Sequence, residues 1–148
     1  MSETNDLIKL YSTKILALAA EIPHLGRLEA PQASVKKRSP LCGSTVTVDL
    51  DMKDGKVSRF GQEVKACALG QASAAVLGEA VIGRTAEELE GIAQDLEAML
   101  KQDGPVPPAP FDGYETLLPA REFKNRHASI LLSVQAAAEA ARQAEAAA

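Results

Sequence analysis

Tryptophan is absent, and aromatic residues make up only 3% of the 148 positions. The core must therefore come from Leu, Ile, Val and Ala, and base-stacking platforms for nucleic acid are disfavoured. Positive charge is outweighed by negative, 16 Lys and Arg against 20 Asp and Glu. The net charge is -4 and the pI about 5.2, which argues against an electrostatic nucleic-acid binder. Lys36-Lys37-Arg38 is the one dense basic cluster, and it reads as a solvated loop. No apolar run is long enough to span a bilayer. Met1 to Asp6 lacks the basic start of a signal peptide, so a cytoplasmic location is expected. Cysteine is nearly absent: Cys42 and Cys67 are the whole set. In a reducing compartment such a pair is not expected to form a structural disulfide. The thiols are either small buried hydrophobes or functional groups.

What is present is enough for one folded domain over residues 1–148. Hydrophobic residues reach 46%, well above the range of disordered chains. Asn5 or Asp6 can cap a helix to about Ala20, with Leu7, Ile8, Tyr11, Ile15 and Leu18 on one face, and Pro23 stops it. An extended connection follows to Pro40, broken by Pro23, Gly26 and Pro31. Thr45 to Met52 alternates as a half-buried strand, with Val46, Val48, Leu50 and Met52 inward and Thr47, Asp49 and Asp51 outward. Asp54-Gly55 signals a two-residue hairpin that places Met52 opposite Val57. Phe60 and Val64 then fall out of phase with Val57, which predicts a bulge around Gly61.

From Cys67 to Ile82 the chain is almost wholly small and apolar, as in a helix buried on most sides and stopped at Gly83. Thr85 to Glu88 is a capping box for a helix carrying Leu89, Ile92, Leu96 and Met99 on one face. Gly104 and Pro105 end it, and a proline-rich loop runs to Pro110. A short segment, Gly113 to Phe123, precedes a last helix that starts near Arg126 to Ser129. Its Ala-rich tail, about 136–148, is helix-prone with little to bury and is expected to fray. There is no internal repeat.

The two cysteines stand at opposite ends of one hairpin, so they can meet in space. Cys42 follows Pro40 and precedes Gly43, on a constrained turn. Cys67 opens a helix, where the positive end of the dipole favours the thiolate, the form that attacks sulfur or binds metal. Lys65 adds positive charge nearby. Soft thiolates suit Zn(II) and iron–sulfur clusters. Two ligands do not close a tetrahedral site, and the candidates for the rest are His127, Ser129, Ser44 and His24. His127 is the best of them chemically. A neutral serine is a poor ligand, and His24 reads as a loop residue.

Pro40-Leu41-Cys42-Gly43, the alternating strand, the Asp-Gly turn and then Cys67-Ala68 leading to Ala72-Ser73 together resemble the IscU/SufU/NifU-type iron–sulfur cluster assembly scaffolds. Tyr11 and Pro23-His24-Leu25-Gly26-Arg27-Leu28 are similar to that family's first helix and following loop. Ile82-Gly83-Arg84-Thr85 is similar to its entry to the next helix, and Gly104 to Pro119 to the long connection of the SufU-like branch. The segment Arg121 to Leu132 resembles the one that holds the third ligand. Two ligand positions depart from the pattern. Ser44 stands where the family has Asp after Cys-Gly. Ser129 stands where it has its third cysteine, when the chain is aligned on Arg126 and Leu131-Leu132.

The resemblance implies an α+β fold, a small three-stranded antiparallel sheet packed with helices and the thiol site at one end, with residues 28–38 supplying the third strand. It implies a non-enzymatic scaffold or sulfur acceptor. Cys42 and Cys67 would hold iron, a transient cluster, zinc or a persulfide, with His127, Ser129 and Ser44 as further candidate ligands. The implied partners are a cysteine desulfurase and downstream cluster-accepting apo-proteins. With two thiols per chain, a homodimer sharing one cluster is a further expectation. The alternative is a divergent member that holds no metal and acts as an interaction or regulatory module for a desulfurase. A Cys–His hydrolase or transferase is disfavoured, since nothing places an orienting acid or an oxyanion hole.

Overall fold

The computed structural model describes residues 12–40 and 43–147. The expected helix start at Asn5 or Asp6, the face residues Leu7, Ile8 and Tyr11, and Cys42 lie outside the described residues. Helix α1 (Thr13–Ala20) is described from Ser12, whose hydroxyl accepts from the Ile15 N–H at 3.3 Å. It ends before Pro23, as expected.

Strands β1 (Ala33–Arg38), β2 (Thr45–Lys53) and β3 (Lys56–Lys65) form one antiparallel sheet in that order. Lys36-Lys37-Arg38 is therefore strand, not loop. Lys37 turns inward and pairs with Glu139 at 3.1 Å. At the hairpin, Asp54 and Gly55 both take positive φ, 54° and 77°, as a tight two-residue turn requires. Met52 faces Val57 as expected. The bulge lies elsewhere than expected. Register steps from Asp51↔Arg59 to Met52↔Val57, leaving Ser58 as the extra residue and returning Phe60 and Val64 to the face of Leu50 and Val46.

Gly61 has a different role from the expected one. A Cβ there would stand 2.6 Å from the Gly26 carbonyl oxygen. Its absence lets the connection after α1 lie along β3, where the Gly26 N–H donates to Gln62 O at 2.8 Å and the Gln62 N–H to His24 O at 3.0 Å. This connection also corrects the reading of β2 as half-buried. Thr47 and Asp49 are buried along with Val46, Val48 and Leu50. Arg27 grips Asp49 through Nε at 2.6 Å and Nη2 at 3.2 Å, while Ser34 Oγ and the Leu28 N–H donate to it at 2.6 and 3.0 Å. Burial pushes the Asp49 carboxyl up, but these donors outweigh it and hold the group below the usual carboxylate range.

The remaining helices are α2 (Ala68–Ala80), α3 (Ala86–Lys101) and α4 (His127–Ala147). Leu69 to Gly78 of α2 are buried apart from Gln71. Gly83, at φ 87°, turns the chain back so that its N–H meets Val57 O at 2.8 Å. The capping box at Thr85 and Glu88 is formed. A 3-10 segment, Asp112–Glu122, packs between α3 and α2, and Arg121 ties it to the end of α3 by donating to Met99 O and Gly104 O at 2.7 and 2.8 Å. Helix α4 lies on β1 and β2 with α2 and α3 around it. Its alanine tail is not idle: Ala136, Ala137, Ala138, Ala140, Ala141 and Ala144 are buried. Small side chains let several backbones approach the helix closely, so the tail gains contact through proximity rather than through bulk. Among the described residues no helix is long and apolar enough to cross a membrane.

Candidate functional site

Three segments converge at one end of the sheet: the link from β1 to β2, the start of α2 and the first turn of α4. Cys67 is the residue before the first turn of α2. Its backbone is extended (φ -67°, ψ 171°), and its side chain makes no capping bond. The thiol is free and partly exposed. Being extended, Cys67 hands the chain from strand to helix and leaves its side chain at the positive end of the helix dipole.

The link is held by the Ser39 N–H donating to Ser44 O at 2.8 Å and the Gly43 N–H to Ser39 O at 2.9 Å. Gly43 takes φ 70°, a conformation that favours glycine. These bonds aim Ser44 inward, where Ser129 Oγ donates to its hydroxyl at 3.0 Å. Ser129 Oγ lies 3.7 Å from Cys67 Sγ. Both hydroxyls are buried, so the serines form a floor and the thiol stands at the rim. Gly70 makes this possible. A Cβ at that position would meet Ser129 Oγ at 2.7 Å and Ala66 Cβ at 2.8 Å. A glycine inside a helix is the sequence signal for this close crossing of α2 and α4.

The structure thus brings Cys67, Ser44 and Ser129 together. Cys42 lies outside the described residues; it immediately precedes Gly43 and is two residues from Ser44 in the chain. His127 is not with them. It is two residues before Ser129 on one helix, on a different face. It is buried, with Nε2 bonded to the carbonyls of Ala120 at 2.9 Å and Arg121 at 3.2 Å. The 3-10 segment captures the His127 ring, so His127 is not among the groups brought to Cys67. His24, the other histidine, sits in the connection against Phe60, ring centroids 6.1 Å apart.

The spacing at the site suits a metal better than its chemistry does. Oxygen and sulfur ligands of one tetrahedral ion, at about 2.1 and 2.3 Å from it, stand about 3.6 Å apart. The Cys67–Ser129 separation matches that edge. The hydroxyls, however, are neutral and bonded to one another. Among the described residues, no group of three or more His, Cys, Asp and Glu side chains could hold a metal ion.

Residues 10–115 match the family model of the NifU-like N terminal domain. The iron-sulfur cluster assembly scaffold protein IscU of Thermotoga maritima is 30% identical over 90 residues, 61% of this chain and 63% of that protein, so the match spans less than two thirds of its length. The crystal structure of a nitrogen-fixing NifU-like protein (N-terminal) from Brucella abortus superposes with a TM-score of 0.92 at 45% identity, covering 97% of this chain and 99% of that one. A putative iron-sulfur cluster assembly scaffold protein for the SUF system from Fervidobacterium islandicum shares the fold, with a TM-score of 0.79 at 21% identity over 90% of this chain and 98% of that one.

Proposed function

Because this chain belongs to the NifU-like N terminal domain family, we propose that it is an iron–sulfur cluster assembly scaffold, with iron and sulfur as cargo rather than as a resident cofactor. The observation that carries the reading is the Cys67 thiol at the start of α2, at the rim of a buried floor made by Ser44 and Ser129. Cys42 joins it as the second thiolate. Ser44 and Ser129 line the site and orient what is bound there, and His127 has no part in ligation. Cargo arrives in two forms: iron binds to the thiolates, and sulfur comes from a cysteine desulfurase. In the sulfur step the Cys67 thiolate attacks the terminal sulfur of the donor's persulfide. A new S–S bond forms, the donor's S–S bond breaks, and the donor cysteine leaves as a thiolate, with no net change in oxidation state. Turning each persulfide sulfur into cluster sulfide takes two electrons from an external reductant, and apo-proteins downstream accept the finished cluster.

Anaerobic reconstitution with iron and sulfide tests the reading. Cluster absorbance and bound iron should appear in the native chain and fall away in Cys42→Ser and in Cys67→Ser. If both variants keep the iron of the native chain, ligation by these thiols is wrong.

The hydroxyls at Ser44 and Ser129, together with the diversion of His127, favour one second reading: a metal-free module that binds and regulates a desulfurase. Protein purified without chelator that carries neither iron nor zinc, takes up none on reconstitution, and still changes desulfurase turnover would establish that reading instead.

A further inference from the structure

The two edges of the sheet are finished differently. Opposed residues of an antiparallel pair alternate between those that exchange N–H···O bonds and those that direct both groups away from the partner. The Ser39 N–H donates to Ser44 O at 2.8 Å, in the same register that pairs Arg38 with Thr45 and Ala33 with Leu50. Ala33, Val35 and Lys37 are therefore the residues of β1 bonded to β2. Ser34, Lys36 and Arg38 turn their N–H and C=O groups to the open side. The same alternation crosses the sheet and turns the N–H and C=O of Gln62 outward from β3. There both groups are taken, by His24 O and by the Gly26 N–H. The chain thus closes the β3 edge with its own connection. Among the described residues, nothing takes the outward groups of Ser34, Lys36 and Arg38. All three residues are exposed.

From this open edge we infer that β1 is a docking site for an extended acidic segment of a partner protein, added to the sheet as a fourth strand. Outward N–H and C=O groups on alternate residues are what strand addition uses. Charge selects the occupant. Lys37 points to the inner face and pairs with Glu139 at 3.1 Å. Lys36 and Arg38 stand on the outer face opposite the neutral Thr47 and Thr45, and neither forms an ion pair among the described residues. A second copy of this chain is the wrong occupant. Edge-to-edge pairing of two β1 strands would set cations against cations, and like charges facing each other across strands are destabilising. A segment with Glu or Asp at every second position sets a carboxylate beside each cation instead. Arg38 leads through Ser39 into the link that holds Ser44, so the added strand brings its owner to the thiol end of the sheet. Docking there does not depend on what the site holds.

The probe is an acetylated, amidated peptide of about seven residues, alternating glutamate with valine. It is titrated into the full native chain by calorimetry, and amide hydrogen exchange is followed by nuclear magnetic resonance. In the free chain the N–H groups of Ser34, Lys36 and Arg38 should exchange quickly, and those of Val35 and Lys37 slowly. Peptide should slow the first three and leave the other two as they were, an alternation that charge attraction alone does not produce. Lys36→Glu combined with Arg38→Glu should weaken binding about tenfold, with circular dichroism confirming the fold. Two control peptides leave the chain untouched: one with lysine for glutamate, one with its central amide nitrogens methylated. Neither should bind. No binding of the glutamate peptide, or binding that leaves Ser34, Lys36 and Arg38 exchanging as before, overturns strand addition. Equal binding of the lysine peptide overturns the acidic occupant. Slow exchange at those three residues in the free chain, lost on dilution to monomer, makes a second copy the occupant instead.

Discussion

Replacing Gly70 with alanine sets two effects of opposite sign against each other. Within a helix, alanine is favoured over glycine by about 0.5–1 kcal/mol. At Gly70, however, the new Cβ would stand 2.7 Å from Ser129 Oγ, 2.8 Å from Ala66 Cβ and 3.3 Å from the Ser129 carbonyl oxygen. The serine hydroxyl can rotate away. Ala66 Cβ and the Ser129 carbonyl cannot, because they are fixed to the backbone, so the chain entering α2 must shift and α2 must back away from α4. Overpacking of this kind costs about 1–3 kcal/mol. Steric cost wins, and Gly70→Ala should lose about 1–2 kcal/mol, lowering the melting temperature by about 2–8 °C in a chain of this size. Gly91, midway along α3, is the control. A Cβ there meets nothing within 4 Å, so the helix preference acts alone and Gly91→Ala should gain about 0.5–1 kcal/mol. Urea denaturation followed by far-ultraviolet circular dichroism reads both. If Gly70→Ala is as stable as the native chain, the crossing at Ser129 is looser than argued and the geometry given for the site is wrong.

Asp49→Asn keeps the shape of a buried side chain but replaces an acceptor oxygen of the Arg27, Ser34 and Leu28 network with a donor, so it should destabilise by about 2–3 kcal/mol. The Asp49 carboxyl is lowered in the fold, so its contribution is present above the ordinary carboxylate value near pH 4 and is lost as pH falls through the folded value. The gap between native and variant denaturation midpoints should accordingly narrow on acidification, and a gap that widens there would contradict the assignment. His127→Gln should leave iron uptake in reconstitution unchanged while lowering the unfolding free energy read from urea denaturation by about 1 kcal/mol, since its ring serves the carbonyls of Ala120 and Arg121. A selective loss of iron with stability intact would return His127 to the site.

The parts that rest on local rules are legible in the sequence. Alternation, the Asp54-Gly55 turn and the Thr85–Glu88 box each depend on neighbours a few residues apart, so β2, its hairpin and α3 could be read directly. The motifs around Cys42 and Cys67 pointed to the family, and alignment on Arg126 set Ser129 against its third cysteine; the fold places Ser129 beside Cys67 and Ser44. Tertiary structure decided whatever depends on which segments meet. The outward face of β2 became buried because Arg27, 22 residues before Asp49 in the chain, folds over it. The alanine tail became core because β1, β2, α2 and α3 close around it. Gly61 serves the approach of Gly26 rather than a bulge, and the 3-10 segment holds His127 away from Cys67. A glycine or an alanine reads as weak in a local window because it carries no side chain to score. Its value lies in the distance at which a remote backbone can approach, and that distance exists only once the chain has folded.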